Sequence, residues 1–155
     1  MSLNRVRTNT EDKDQGFTLI ELLVVMIIIG ILAAIAIPTF LSQRQNGYKT
    51  AVKNDLRNAA TAIESVAVDN NGAYDNANVL GATAAGAALP ASITTSFTPS
   101  QNVTVTVGKA STANNFCIVG VNSGAATSFF VYDKTKNGLQ QTEYATAAAA
   151  QAICT

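Results

Sequence analysis

The sequence has no histidine and no tryptophan, and only two cysteines, two methionines and three prolines in 155 residues. Without histidine it lacks the side chain that most often serves as a general base near neutral pH and as a metal ligand. Two thiols far apart in the chain, Cys117 and Cys154, do not make a four-ligand metal set. Charge is sparse at 13%, and ten basic residues balance ten acidic ones. A neutral chain excludes the basic stripe expected of a nucleic-acid binder, and no direct nucleic-acid site is identified. No Gly-Lys-Ser/Thr phosphate loop occurs. The acids Asp55, Glu64, Asp69, Asp75, Asp133 and Glu143 are scattered without a paired motif, and no internal repeat is visible. No catalytic residue, cofactor or metal ligand is assigned, and no enzyme activity is expected.

Apolar surface is what the chain has in quantity. From residue 22 to residue 43 no side chain carries a formal charge, a run of 22 residues. At about 1.5 Å of rise each, these make a helix of roughly 33 Å, long enough for a bilayer core of about 30 Å. Glu21 stands at the edge of this run. A carboxylate beside hydrocarbon is costly, and an anchor alone gives no reason to keep one there. The preceding residues 1–16 are polar and lack an apolar core, so they are not an ordinary secretory signal. They contain Arg5, Arg7 and Lys13, which favour a cytoplasmic N-terminus. The cations Arg44, Lys49, Lys53 and Arg57, beyond the run, weigh against that orientation.

The stretch Gly16-Phe17-Thr18-Leu19-Ile20-Glu21, followed by an apolar helix containing Gly30 and Pro38, resembles the prepilin signature of type IV pilins and their type II secretion pseudopilin relatives. The match is close over roughly residues 14–45, and in layout only beyond them. The resemblance implies a cleaved leader (1–16), cut between Gly16 and Phe17 by a prepilin peptidase that also N-methylates Phe17. It implies assembly of the mature chain with copies of itself by a platform protein and an ATPase. It places the prepilin as a single-pass protein of the bacterial cytoplasmic membrane, in contact with lipid, and the assembled chain in a surface pilus. Adhesion, motility or DNA uptake are the uses such a filament serves. The alternatives are a pseudopilin of a secretion or competence system, and a membrane-tethered binding domain that never polymerises.

Cleavage would leave a free α-amine on Phe17, cationic at neutral pH. Glu21 of one chain and the amine of a neighbour would neutralise each other in apolar surroundings and so reward correct register. The competing reading makes Glu21 an interfacial residue reaching the headgroups. Gly30 and Pro38 are candidate points of helix flexibility, since Pro38 removes a backbone donor and crowds the carbonyl four residues back. A static proline kink is the alternative.

Removing sixteen residues leaves 155 − 16 = 139, a transmembrane and assembly helix (17–43) plus one small exported domain. Residues 44–71 continue the helix as an amphipathic half, with Tyr48, Val52, Leu56, Ala59, Ala60, Ile63, Val66 and Ala67 at steps of three and four. Asn70-Asn71-Gly72 is its stop. The basic stripe Arg44, Lys49, Lys53 and Arg57, opposed only by Asp55, reads as a solvated face, or as one turned to headgroups or a neighbouring subunit. Residues 72–100 form a connector, with a short edge strand over residues 92–98. Residues 101–155 hold an antiparallel sheet, with strands at 102–107, 116–121 and 128–133 and a turn at Asn137-Gly138. The fold class is α+β, the long helix packing its second half on the small sheet, as in the pilin fold. Two cysteines on an exported part read as one disulfide, Cys117 to Cys154, with two unpaired thiols as the alternative. The Ala-rich tail from Tyr144 fits helix or coil. Asn102-Val103-Thr104 matches a glycan acceptor pattern. A calcium loop over residues 133–138 is opposed by its two lysines.

Overall fold

The computed structural model describes residues 16–77, 79–81 and 84–154. Residues 1–15, most of the expected leader and including Arg5, Arg7 and Lys13, lie outside the described residues. The chain forms two units that divide between Phe40 and Leu41. Helix α1 runs Leu19–Asp69, close to the expected span. It ends where Asn71 and Gly72 take left-handed φ angles of 60° and 77°. There Gly72 N–H donates to Ala67 O at 2.7 Å, and Asn70 Nδ2 donates to Val66 O at 2.8 Å. Asn and Gly enter this region at little steric cost, so the expected stop is the stop the backbone uses.

Beyond Leu41, α1 buries Val52, Leu56, Ala59, Ala60, Ile63 and Ala67. The sheet is four-stranded and antiparallel in the order β1-β2-β3-β4: β1 (Val103–Thr112), β2 (Asn115–Asn122), β3 (Phe129–Asp133) and β4 (Gly138–Leu139). The alternation read from β1 sorts its faces, with Val103, Val105 and Val107 buried and Thr104 exposed. The near-continuous apolar run of β2 has a different cause: both of its faces are covered. Phe116 and Ile118 join the core with α1, while Cys117 and Val119 pack with Val131, Ala150 and Cys154 on the other side.

Helix and sheet meet closely at Gly120, where a Cβ would stand 2.8 Å from Val52 Cγ1 and 3.1 Å from Leu56 Cγ. A glycine in a strand interior weakens the strand; here it admits the helix. The disulfide Cys117–Cys154 closes 37 residues with a Cα–Cα distance of 5.7 Å. A Cβ on Gly108 would stand 2.5 Å from Cys154 Sγ, at the point where the β1–β2 register shifts between Val107 and Lys109.

Two segments settle or correct the expectations. The edge strand expected over residues 92–98 is instead a one-turn helix, α2 (Ala91–Thr94). Ile93 and Thr94 N–H donate to Pro90 O, and the Thr94 and Thr95 hydroxyls donate to Ala91 O. Local bonding from the threonine hydroxyls overrides the β-branched composition that suggested a strand. Ala88 takes the edge position instead, bridged antiparallel to Thr106. The tail is helical over α3 (Ala147–Ala152), where the Thr146 side chain accepts from Ala149 N–H. Alanines behind a threonine cap favour a helix.

Candidate functional site

The N-terminal unit buries almost none of its apolar side chains. Phe17 is 83% exposed and Leu19 88%, and among the described residues every exposed large hydrophobic except Val68 lies within residues 17–41. An 18-residue window of α1 reaches a mean hydropathy of 3.0 with none of it buried. A helix apolar on all sides needs a partner on all sides, either hydrocarbon or other helices. Burying one Leu, Ile or Val side chain is worth about 1.5–3 kcal/mol, so the unmet demand of this surface is large.

Glu21 is held from within its own chain. Thr18 N–H and Thr18 Oγ1 both donate to Glu21 Oε2 at 2.8 Å, and Glu21 N–H donates to Thr18 Oγ1 at 3.3 Å. Thr18 and Glu21 thus satisfy two of the free donors at the start of α1 reciprocally, as a capping box does. The acid also sits at the positive end of the helix dipole. Oε2 carries both of the bonds Glu21 accepts, so among the described residues Oε1 accepts none. The box fixes where the carboxylate stands and leaves one oxygen without a hydrogen bond among the described residues.

Gly16 and Phe17 precede the helix and are exposed. A Cβ on Gly30 would meet nothing within 4 Å, so the subunit itself places no steric demand for glycine there. Pro38 lies inside α1, which continues through it. The Thr39 hydroxyl donates to Ile35 O at 3.1 Å and Ala36 O at 2.8 Å, just beside the bond that proline lacks.

The N-terminal residues 12–37 match the family described as the prokaryotic N-terminal methylation motif. The type IV wide pilus major component PilA4 of Thermus thermophilus is 37% identical over 115 residues, covering 74% of this chain and 79% of that protein. The chain belongs to the type IV pilin family. Two further relatives match over less. The type IV major fimbrial protein FimA of Dichelobacter nodosus is 40% identical over 74 residues, 44% of this chain and 46% of that protein. The type II secretion system core protein G of Pseudomonas aeruginosa is 40% identical over 58 residues, 37% of this chain and 41% of that protein. The chain therefore spans less than half the length of these two.

In this pilin the basic stripe is not uniformly solvated. Lys49 Nζ donates to Glu143 Oε2 at 2.8 Å, and Ser128 Oγ donates to the same carboxylate at 2.5 Å. Lys49 foremost, and then Ser128, hold the Glu143 carboxyl below its ordinary range. Lys53 Nζ donates to Gln141 at 3.4 Å and lies 4.8 Å from the centre of the Phe130 ring. Two of the four cations thus clamp α1 to β3 and the segment after β4. Asp55 does not oppose the stripe, because it is buried on the other side. It accepts Ser100 N–H at 2.7 Å and Ser100 Oγ at 3.0 Å, anchoring the chain ahead of β1.

The six-residue segment weighed as a calcium loop is a turn capped by protein atoms. Asp133 Oδ1 accepts from Thr135 N–H at 2.9 Å and Thr135 Oγ1 at 2.6 Å, and Lys136 Nζ lies 3.9 Å from Oδ2. The Lys134 ammonium faces Tyr74 and Glu64.

Sequence reasoning did not single out Thr18, although Ser/Thr-x-x-Glu before an apolar run is a legible capping signal. It also missed the anchoring role of Asp55 and the contacts of Gly108, for which no local signal exists.

Proposed function

We propose that this chain is the structural subunit of a type IV pilus, held in a membrane by residues 17–43 and then stacked with copies of itself. What supports this most is the apolar surface of α1, exposed from Phe17 to Leu41, while the C-terminal unit has filled its own core. Such a surface is stable in lipid and equally stable against sister helices, so the subunit can be stored in one and assembled in the other.

In this reading a prepilin peptidase cuts between Gly16 and Phe17 and methylates Phe17. The new amine of one subunit then meets the free Oε1 of a neighbour's Glu21. The Thr18–Glu21 box keeps the carboxylate in place before the partner arrives, which lowers the ordering cost of pairing. A platform protein and an ATPase supply the extraction work. The prepilin is a single-pass protein of the cytoplasmic membrane, and the product is a surface fibre. The role is structural, without a catalytic step.

The test is Glu21→Ala in cells, scored by electron microscopy of sheared surface fibres and by membrane fractionation. The variant should remain membrane-resident and give few or no fibres. Fibres at normal yield would refute the pairing. N-terminal sequencing of the native chain should find N-methylphenylalanine, whereas an intact leader would favour a non-polymerising tether.

The runner-up is a pseudopilin, favoured by the likeness to a type II secretion core protein. That likeness covers 37% of the chain, against 74% for the wide-pilus component. The longer match extends well past the shared N-terminal helix and favours the pilin. Long surface fibres built of this chain would separate the two.

A further inference from the structure

Of the four cations on the helix stripe, only Lys49 pairs with a carboxylate among the described residues, Glu143; Arg44, Lys53 and Arg57 face none within salt-bridge distance there. Arg44 is nonetheless held in place. Its Nε donates to Tyr48 OH at 2.6 Å, and its guanidinium carbon lies 5.4 Å from the centre of the Tyr48 ring. Gly124, in the 3₁₀ turn Ser123–Ala125, lies against the Tyr48 ring. A Cβ on Gly124 would stand 2.5 Å from Tyr48 Cε2, so only glycine lets that turn close on the ring. Leu41, Arg44, Gln45, Tyr48 and Gly124 together line an open cleft of about 320 Å³. Nε is the only Arg44 donor occupied among the described residues, and the Gln45 amide is likewise unbonded there. The cleft therefore presents a fork of N–H donors, an aromatic wall and one apolar side chain.

Its place in the sequence says what fits it. Arg44 is the first charge after the uncharged run that ends at Gln43, and a Tyr–Arg pair at the end of a membrane span is where headgroups are met. A guanidinium with free N–H groups suits a phosphate geometrically and electrostatically.

We propose that Arg44, Gln45 and Tyr48 form a seat for the phosphate of an anionic membrane phospholipid, occupied while the subunit is stored in the membrane. Leu41 lies toward the glycerol and acyl end, and Gly124 sets the wall. The seat fixes the depth of the stored subunit and is vacated on extraction. The inference rests on the membrane-resident stage proposed above.

The experiment uses the full chain in detergent micelles doped with equal amounts of phosphatidylglycerol and phosphatidylcholine, read by native mass spectrometry. One positioned cation sets the expected preference for phosphatidylglycerol at about fivefold. Arg44→Gln should bring it close to one, and Tyr48→Phe should lower it partway. Arg57→Gln, on the same helix but outside the cleft, should leave it unchanged. Near-ultraviolet circular dichroism of the tyrosines checks that each variant is folded. No preference in the native chain, or an undiminished one in a folded Arg44→Gln, overturns the seat. Equal losses from Arg44→Gln and Arg57→Gln overturn it too, because they show diffuse attraction. Inorganic phosphate is a separate probe; if millimolar amounts abolish the preference, the cleft takes free anions and the lipid assignment fails. Carbonate extraction of native membranes separates the two proposals. A released chain overturns membrane storage and the seat together, while a retained chain without preference overturns only the seat.

Discussion

Replacing Gly120 by alanine puts a methyl carbon where α1 lies on the sheet. The new atom would stand 2.8 Å from Val52 Cγ1 and 3.1 and 3.2 Å from Leu56 Cγ and Cδ2. Carbon atoms attract best at about 3.5–4.0 Å, so both side chains must give way. Neither has room: Val52 is 1% exposed and Leu56 is fully buried, and a valine in a helix has one strongly preferred rotamer. Overpacking of this kind costs about 1–3 kcal/mol, and with two stiff neighbours on successive turns we expect about 2 kcal/mol.

The companion change Val52→Ala removes the nearest methyl and costs about 2 kcal/mol by itself, from two lost methyl groups and the void they leave. In Gly120→Ala/Val52→Ala the new methyl occupies that void. The double variant should therefore be more stable than the sum of the two single losses by about 1–2 kcal/mol. The chain offers a clean probe. It has no tryptophan, and its four tyrosines lie at Tyr48 and beyond, so the tyrosine band of the near-ultraviolet circular dichroism, clear of the phenylalanine band to which Phe17 and Phe40 contribute, reports on the C-terminal unit of the full chain in micelles. For a domain of about this size, 2 kcal/mol lowers Tm by roughly 10 °C. A Gly120→Ala Tm within 2 °C of the native value, or strictly additive losses, would refute the close approach.

Three further outcomes test other contacts. Asp55→Ala leaves the Ser100 N–H without its acceptor and should cost about 1.5–3 kcal/mol; hydrogen exchange at the Ser100 amide should accelerate more than at Val131. The Glu143 carboxyl sits below its ordinary range, so its pair with Lys49 contributes fully above the unfolded-state value and is lost as pH falls through the folded one. Between pH 5 and pH 3 the native chain should lose about 0.5 kcal/mol more than Glu143→Gln does, and parallel pH profiles would dismiss the clamp. Removing the disulfide with Cys117→Ser/Cys154→Ser should cost about 3–4 kcal/mol on the chain-entropy view of a 37-residue loop. It should also soften the penalty of Gly108→Ala, whose Cβ is opposed by Cys154 Sγ at 2.5 Å; an unchanged penalty would show that the sulfur is not what requires the glycine.

What the sequence made legible was local and periodic. Spacing placed the buried face of α1 from Val52 to Ala67, and alternation placed Val103, Val105 and Val107 inward. Asn71-Gly72 and Asn137-Gly138 mark turns because the backbone there needs positive φ. What stayed hidden depends on partners far along the chain. Asp55 looks like one more acid on a helix until Ser100, 45 residues away, supplies two donors. Gly124 is an unremarked glycine until the Tyr48 ring lies against it. Lys49 and Lys53 share a stripe with Arg44 and Arg57, and periodicity cannot say which of them the sheet will claim. The Ser92–Thr98 stretch misled for the opposite reason: its threonines favour a strand on average, but here their hydroxyls bond a carbonyl within one turn.

The two parts of α1 follow opposite packing rules, and this constrains how the subunit can work. After Leu41 the buried face combines large residues, Val52, Leu56 and Ile63, with small ones, Ala59, Ala60, Ala62 and Ala67, and Gly120 makes room on the sheet for Val52 and Leu56. Before Leu41 the helix carries exposed large apolar side chains from Phe17 to Phe40, unburied among the described residues. The C-terminal unit holds together through its own core and disulfide. On the proposed reading, this division is what an exchange of lipid for sister helices would use. The Thr18–Glu21 box completes the start of the helix from within the chain, so the proposed pairing through the second carboxylate oxygen would add to a structure that is already formed.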